Sequence, residues 1–349
     1  MKETVSKNQE RLNFLDIYKG IAVILVIITH YQWKDAERLT YLFPYWIKMA
    51  VPLFLVITGY VSAYIAEKKG TSLSDSYKPA DIIVKLLRYL LPFIPVYVVI
   101  LLVRIFIKDE SFTFLDILTD FLKGGDGRGS YYVPIMIQIT LLIPLIRSFV
   151  KRNPYLGLIS CFIINILYEI FKTLIQMDSD IYRVISIRYV FIVAFGCFLF
   201  YKKEFKIYEK IILIILGLAG AVYIYLFDYA GFTPVFVNQW TDTSCFAVLY
   251  ALPIFALLFS FRKIHSKVFQ LIGNSSYGIY LMQMVFYYGP HKILYQHIKG
   301  IYFLLPLFII ICCLLGIVYY NIANWFFQKT VIKHKNHLLS RKKTETDIK

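Results

Sequence analysis

Long apolar runs separated by short polar gaps dominate this chain. Runs of about 20 apolar residues, enough to cross a hydrocarbon core as helix, predict about ten transmembrane helices. They fall roughly at 14–33, 45–66, 82–107, 131–150, 154–175, 186–201, 207–227, 243–261, 268–289 and 301–327. The 186–201 run is short, and 268–289 is interrupted by GNSSYG. Between the third and fourth runs lies FTFLDILTDFLKGGDGRGS. Its first half has helical periodicity over too short a length to span, which predicts a surface or re-entrant helix. GGDGRG at 124–129 lacks the GK[ST] ending of a phosphate loop and reads as a flexible turn. No internal repeat of the transporter kind is visible. The predicted fold class is all-α, a polytopic membrane helical bundle.

Composition agrees. Of 349 residues 58% are hydrophobic, 18% aromatic and 17% charged, with mean hydropathy +0.61, more apolar surface than one soluble core hides. The net charge of +16 does not indicate nucleic acid, because Lys and Arg concentrate in alternate gaps. Lys68, Lys69 and Lys78 fill one, Arg147, Lys151 and Arg152 the next but one, whereas 228–242 has none. The positive-inside rule then predicts an even number of helices with both termini cytoplasmic. The expected layout is a tail at 1–13, a membrane domain at 14–327 and a basic cytoplasmic tail at 328–349, with no cleavable signal peptide. The five cysteines show no metal-ligand spacing and no metal is expected. GxSxG, HExxH and CxxC do not occur. Asn274-Ser275-Ser276 fits a glycosylation sequon only by chance.

Ionisable groups inside apolar runs are costly and mark candidate sites. The first run, LDIYKGIAVILVIITH, carries Asp16 and Lys19 at its start and His30 near its end. Eleven residues separate Lys19 from His30, so they lie about 20° apart around the helix and about 16 Å apart along it. One helix face thus bears a cation near one surface and an imidazole deep inside. Lys85 and Arg88 sit one turn apart at the start of the third helix, suited to the phosphates of an anionic cytosolic ligand or to snorkelling toward headgroups. Residue counting brings Glu169 and Gln283 to the level of His30, about 22 Å up, with Gln138 and Arg188 approaching from the other side. Glu169 equally suits an ion pair that locks helices together.

LDIYKGIAVILVIITH, VPLFLVITGYVSAY, VKLLRYLLPFIPVY, YYVPIMIQITLLIPL and GNSSYGIYLMQ, in that order, resemble the acyltransferase 3 family of integral membrane acyltransferases. The basic residue eleven positions before a membrane histidine is the most specific part. The resemblance implies about ten helices and transfer of an acyl group, usually acetyl, from cytosolic acyl-CoA to a hydroxyl of a cell-surface polysaccharide or its precursor. With only the short tail at 328–349 after the tenth run, no fused soluble domain is expected. It implies a bacterial plasma-membrane location, with lipids around the bundle. His30 matches the family's catalytic histidine and Arg88 a basic residue that contacts CoA. Lys19 stands where many members have Arg, and Gln283 where many have His.

The chemistry this implies needs a base for the hydroxyl proton, which a neutral imidazole supplies near pH 7. His30 is therefore the expected base, with Asp16 and Glu169 as supporting carboxylates and Lys19, Lys85 and Arg88 binding the acyl-CoA donor. Tyr131, Gln138 and Gln283 are candidates for contacting substrate or the tetrahedral oxyanion. The alternative function is a transporter or exporter of a glycan or lipid-linked precursor, which the same intramembrane charges would suit.

Overall fold

The computed structural model describes residues 2–46, 48–202, 204–232, 244–298 and 300–333, with side chains from Asn13 onward. The expected tail at 334–349 lies outside the described residues. Among them the chain is helical with no strand. Helix α1 is Lys2–Thr29, α2 Ala50–Lys69, α3 Pro79–Ile107, α4 Phe114–Leu122, α5 Tyr132–Arg152, α6 Pro154–Leu174 and α7 Ser179–Val184. After a 3-10 turn at Ser186–Tyr189 come α8 Val190–Lys202 and α9 Ile207–Asp228. Last are α10 Ala251–Leu258, α11 Lys267–Asn274, α12 Ser276–Tyr288 and α13 Ile301–Phe327.

Local chemistry sets many of these boundaries. Pro79 and Pro154 occupy first turns, where a missing N–H costs nothing. The Asn153 side chain accepts from Leu156 N at 3.1 Å to cap α6. Thr113 and Asp116 form a reciprocal capping box on α4.

Six helices among the described residues are long and apolar enough to cross a membrane, at Phe43–Lys69, Pro79–Ile107, Tyr132–Arg152, Pro154–Leu174, Ile207–Asp228 and Ile301–Ile332. They match expected spans to within several residues. The first expected span belongs to a longer helix that already runs from Lys2. The other three runs fold in pieces. The 186–201 run is a 3-10 turn and a 13-residue helix, about 20 Å long. Helices Cys245–Val248 and Ala251–Leu258 divide the 243–261 run. The 268–289 run breaks at Ser275 between α11 and α12.

The short α8 is the centre of the core. Every residue from Val190 to Leu199 is buried, so an all-round apolar helix is wrapped by others instead of by lipid. It crosses α2 closely, and a Cβ on Gly59 or on Gly196 would collide with the opposite backbone, at Val193 O and Val56 O respectively. Small residues of this kind let membrane helices touch backbone to backbone. Gly196→Ala is therefore expected to push α2 from α8 and cost about 1–3 kcal/mol, as overpacking does, read as a lower melting temperature in detergent. Two further crossings place the site. Gly20 and Gly273 seat α1 against α11, and Gly278 and Gly316 seat α12 against α13. Helix α1 also packs on α2, α12 and α13, so its interior face looks into the gap between them.

Candidate active site

That gap is a cavity of about 720 Å³, within the range of small-molecule sites. Lys19 and His30 both line it, so the eleven-residue spacing does put them on one face of α1. The Lys19 end also has Asn274, Tyr277 and Tyr320, from the junction of α11 and α12 and from α13. At the His30 end stand Asp126, Arg128, Arg183 and Lys48. The walls between are mostly apolar and aromatic.

His30 follows the last residue of α1, in a turn where its N–H reaches Ile27 O at 3.2 Å. Its ring lies 6.2 Å from that of Tyr287, whose hydroxyl donates to Ile27 O at 2.9 Å and so ties α12 to the last turn of α1. Above the imidazole folds the 124–130 loop. Arg128 Nη1 donates to the His30 carbonyl, and its guanidinium stands 5.6 Å from the Tyr287 ring centroid. Three further bonds hold the loop. Gln283 Nε2 donates to Arg128 O at 3.1 Å, Tyr280 Oη to Gly129 O at 2.7 Å, and Ser130 Oγ to Gly125 O at 2.6 Å. Gly129 has φ +83°, and a Cβ there would come within 3.0 Å of His30 Nε2. The run read as a flexible turn is thus a fastened wall whose glycines admit the imidazole.

The expected site residues divide. His30, Lys19 and Tyr131 line the cavity, and Asp16 pairs with Lys19 at 2.9 Å. Lys85 and Arg88 are exposed on α3 and outside the cavity wall. Arg88 lies 5.5 Å over the Phe327 ring. Lys85 stands one helical turn from Tyr89, which does line the cavity.

Glu169, Gln138 and Gln283 also lie outside the lining. Glu169 is buried on α6 and accepts from Tyr182 Oη at 2.5 Å. Lys172 and Arg188 lie over the Tyr182 ring at 4.5 and 4.6 Å. This cluster ties α7 and the 3-10 turn to α6 through Tyr182. Glu169 Oε2 and Lys172 Nζ make no hydrogen bond among the described residues, so the expected direct ion pair of Glu169 is not what links them. Both ends of the Gln138 amide bind backbone, at Val184 O (2.7 Å) and Ser186 N (3.0 Å). Gln283 spends its amide N–H on the Arg128 carbonyl. That bond tethers the loop, and Gln283→Leu is expected to loosen it and lower turnover about tenfold with little change in donor KM.

Sequence reasoning did not single out Arg128, Arg183, Lys48 or Asp126. Lys48 is paired with Asp228 at 3.0 Å and only 6% exposed in its side chain. Arg128 sits in the polar, glycine-rich run KGGDGRGS, where nothing in the sequence set it apart from a loop charge. Asn274 and Ser276, dismissed with the chance sequon, are cavity residues.

An all-helical membrane bundle holding an imidazole and several cations around one internal cavity defines a candidate intramembrane group-transfer site. The model of the acyltransferase domain family matches residues 12–324, so the chain belongs to the acyltransferase 3 family and is a membrane acyltransferase. Searches of curated proteins and of solved structures returned no match.

Proposed function

We propose that the protein transfers an acyl group, acetyl in the first instance, from cytosolic acyl-CoA to a hydroxyl of a cell-surface glycan or its precursor, at the plasma membrane of a bacterium. The observation that carries this is the single cavity lined by both Lys19 and His30. The distance between them along α1, about 16 Å, is on the order of a pantetheine arm. Lys19, oriented by Asp16, and Lys85 below Tyr89 meet the CoA phosphates at the mouth, with Arg88 beside them. The thioester then lies at His30.

His30 in its neutral form takes the proton of the acceptor hydroxyl as the oxygen attacks the thioester carbonyl. Arg128, joined to His30 by a direct hydrogen bond, stabilises the tetrahedral oxyanion with its remaining N–H groups. Tyr131 helps orient the acceptor. When the C–S bond breaks, the proton held on His30 passes to the CoA thiolate, and the products are an ester and free CoA. The Gln138 amide is bonded to backbone at both ends and Gln283 through its Nε2, and neither is given a direct part in this scheme. Glu169, bonded to Tyr182, is reassigned from catalysis to structure. An exporter does not need a base aligned with an anion site along one helix.

Lys19→Met tests the donor end. With acyl-labelled CoA and membranes, donor KM is expected to rise about tenfold, the loss of one charged contact worth roughly 1.4 kcal/mol, with a smaller change in kcat. An unchanged donor KM would place CoA elsewhere.

A further inference from the structure

A second cavity, of about 420 Å³, adjoins the first and shares Asp126 and Arg183 with it. Its lining is mostly polar. Asp116, Thr119 and Asp120 of α4 form one wall, with Lys123 after them and Asp180 of α7 opposite. Four carboxylates face three cations across it. A simple anion would meet the carboxylates and a simple cation the lysine and arginines. A polyhydroxylated ring suits both, since each hydroxyl donates to carboxylates and accepts from cations.

Some of these groups are committed within the protein and some are not. Asp120 pairs with Arg104 at 3.1 Å, Asp126 accepts from Tyr288 Oη at 3.1 Å, and Asp116 accepts from Thr113 N and Oγ1. Asp180 and Lys123 have no side-chain hydrogen bond or ion pair to another described residue. The buried Arg183 Nε has no hydrogen-bond partner among the described residues. Unused donors and acceptors therefore face the same space as a route toward His30.

The wall helix also places the mouth. On α4, Phe114, Leu115, Leu118 and Leu122 are all exposed, while Asp116, Thr119, Asp120 and Lys123 line the cavity. Phe106 and Ile107, ending the neighbouring α3, are exposed as well. An amphipathic helix with this division lies in the membrane interface, apolar side in lipid. The polar cavity then opens at the membrane surface, at the end of the bundle that holds His30.

We propose that this second cavity is the acceptor subsite: it takes one sugar unit from the membrane surface and passes its reactive hydroxyl between Asp126 and Arg183 to His30. The delivery step rests on the acyl-transfer function above; sugar binding itself does not. Lipid-linked saccharides and free glycan chains share this chemistry.

The test is saturation-transfer NMR on the full chain in lipid nanodiscs, with soluble hexose and N-acetylhexosamine oligosaccharides as probes. At least one probe is expected to bind the wild type and His30→Ala alike, and to bind at least tenfold more weakly to Asp180→Ala with Lys123→Ala. Asp180→Asn, a milder change at an exposed position, is expected to weaken binding in the same sense. Absence of binding by every probe, or binding unaffected by the double substitution in folded protein, overturns the proposal. Sugar binding without acyl transfer by the wild type would uphold this subsite and defeat the acyl-transfer function. Competition by a lipid-linked disaccharide in the same nanodiscs, tighter than by the free disaccharide, would identify the membrane as the source. Equal competition would identify a free chain, and the subsite stands in either case.

Discussion

His30→Ala is expected to lower acyl transfer by about 10²–10⁴-fold, the contribution of a positioned general base, or roughly 3–5.5 kcal/mol of barrier. Among the described residues no other imidazole lines the cavity, so no second cavity imidazole takes over the proton. The donor end should be untouched, because Lys19 stands about 16 Å and its partner Asp16 about 21 Å away along α1. Donor KM should therefore stay within about twofold while kcat collapses, the pattern of an interaction made in the transition state. The loop above should remain seated, since Arg128 binds the backbone carbonyl of residue 30 and not its ring. Initial rates with labelled donor in membranes containing equal amounts of each protein check this.

Gly129→Ala is expected to cost about 10²-fold in kcat with much smaller loss of stability. Its methyl would sit 3.0 Å from His30 Nε2 and 3.6 Å from Tyr280 Cε2. Tyr280 is anchored through its hydroxyl on Gly129 O, so the imidazole must yield. A displacement of about 1 Å at a reacting group is worth on the order of 10²-fold in rate. The left-handed backbone adds about 1–2 kcal/mol of strain, and that component needs its own control. Gly70→Ala supplies it: Gly70 ends α2 at φ +60° with nothing within 4 Å of the new Cβ. It should share the strain and leave kcat unchanged. Equal losses of kcat in the two variants would mean that strain, and not the position of His30, accounts for the effect.

The sequence carried the parts of this site that lie on one helix. Lys19 lies on α1 and His30 one residue past its end, so helical geometry nearly fixes the two relative to each other, and an eleven-residue count was enough to place them on one side. Glu169, Gln138 and Gln283 show where counting stops. The number of residues into a span gives a height, but not the direction in which the side chain points around the axis. Glu169 points toward Tyr182, and Gln138 toward the 3-10 turn. Arg128 was illegible for a different reason. Its loop reaches His30 across 98 residues of chain, through glycine conformations that hydropathy does not encode. The break at Ser275 was signalled by the polar GNSSYG stretch, whereas the one around Leu249 escaped detection because CFAVLYALPIFALL is continuously apolar. The buried α8 shows the same limit from the other side, since a helix wrapped by protein and one wrapped by lipid are equally apolar.

The proposed path runs through one cavity, from CoA at Lys19 to a hydroxyl at His30, and label transfer tests it. Membranes with the wild-type chain and with His30→Ala are given CoA carrying a labelled acetyl group, and the glycan and lipid-linked saccharide fractions are then isolated. Alkali-labile label is expected in those fractions with the wild type and near-background label with His30→Ala. Equal labelling by both proteins, or no more label with the wild type than in membranes lacking it, would rule this path out.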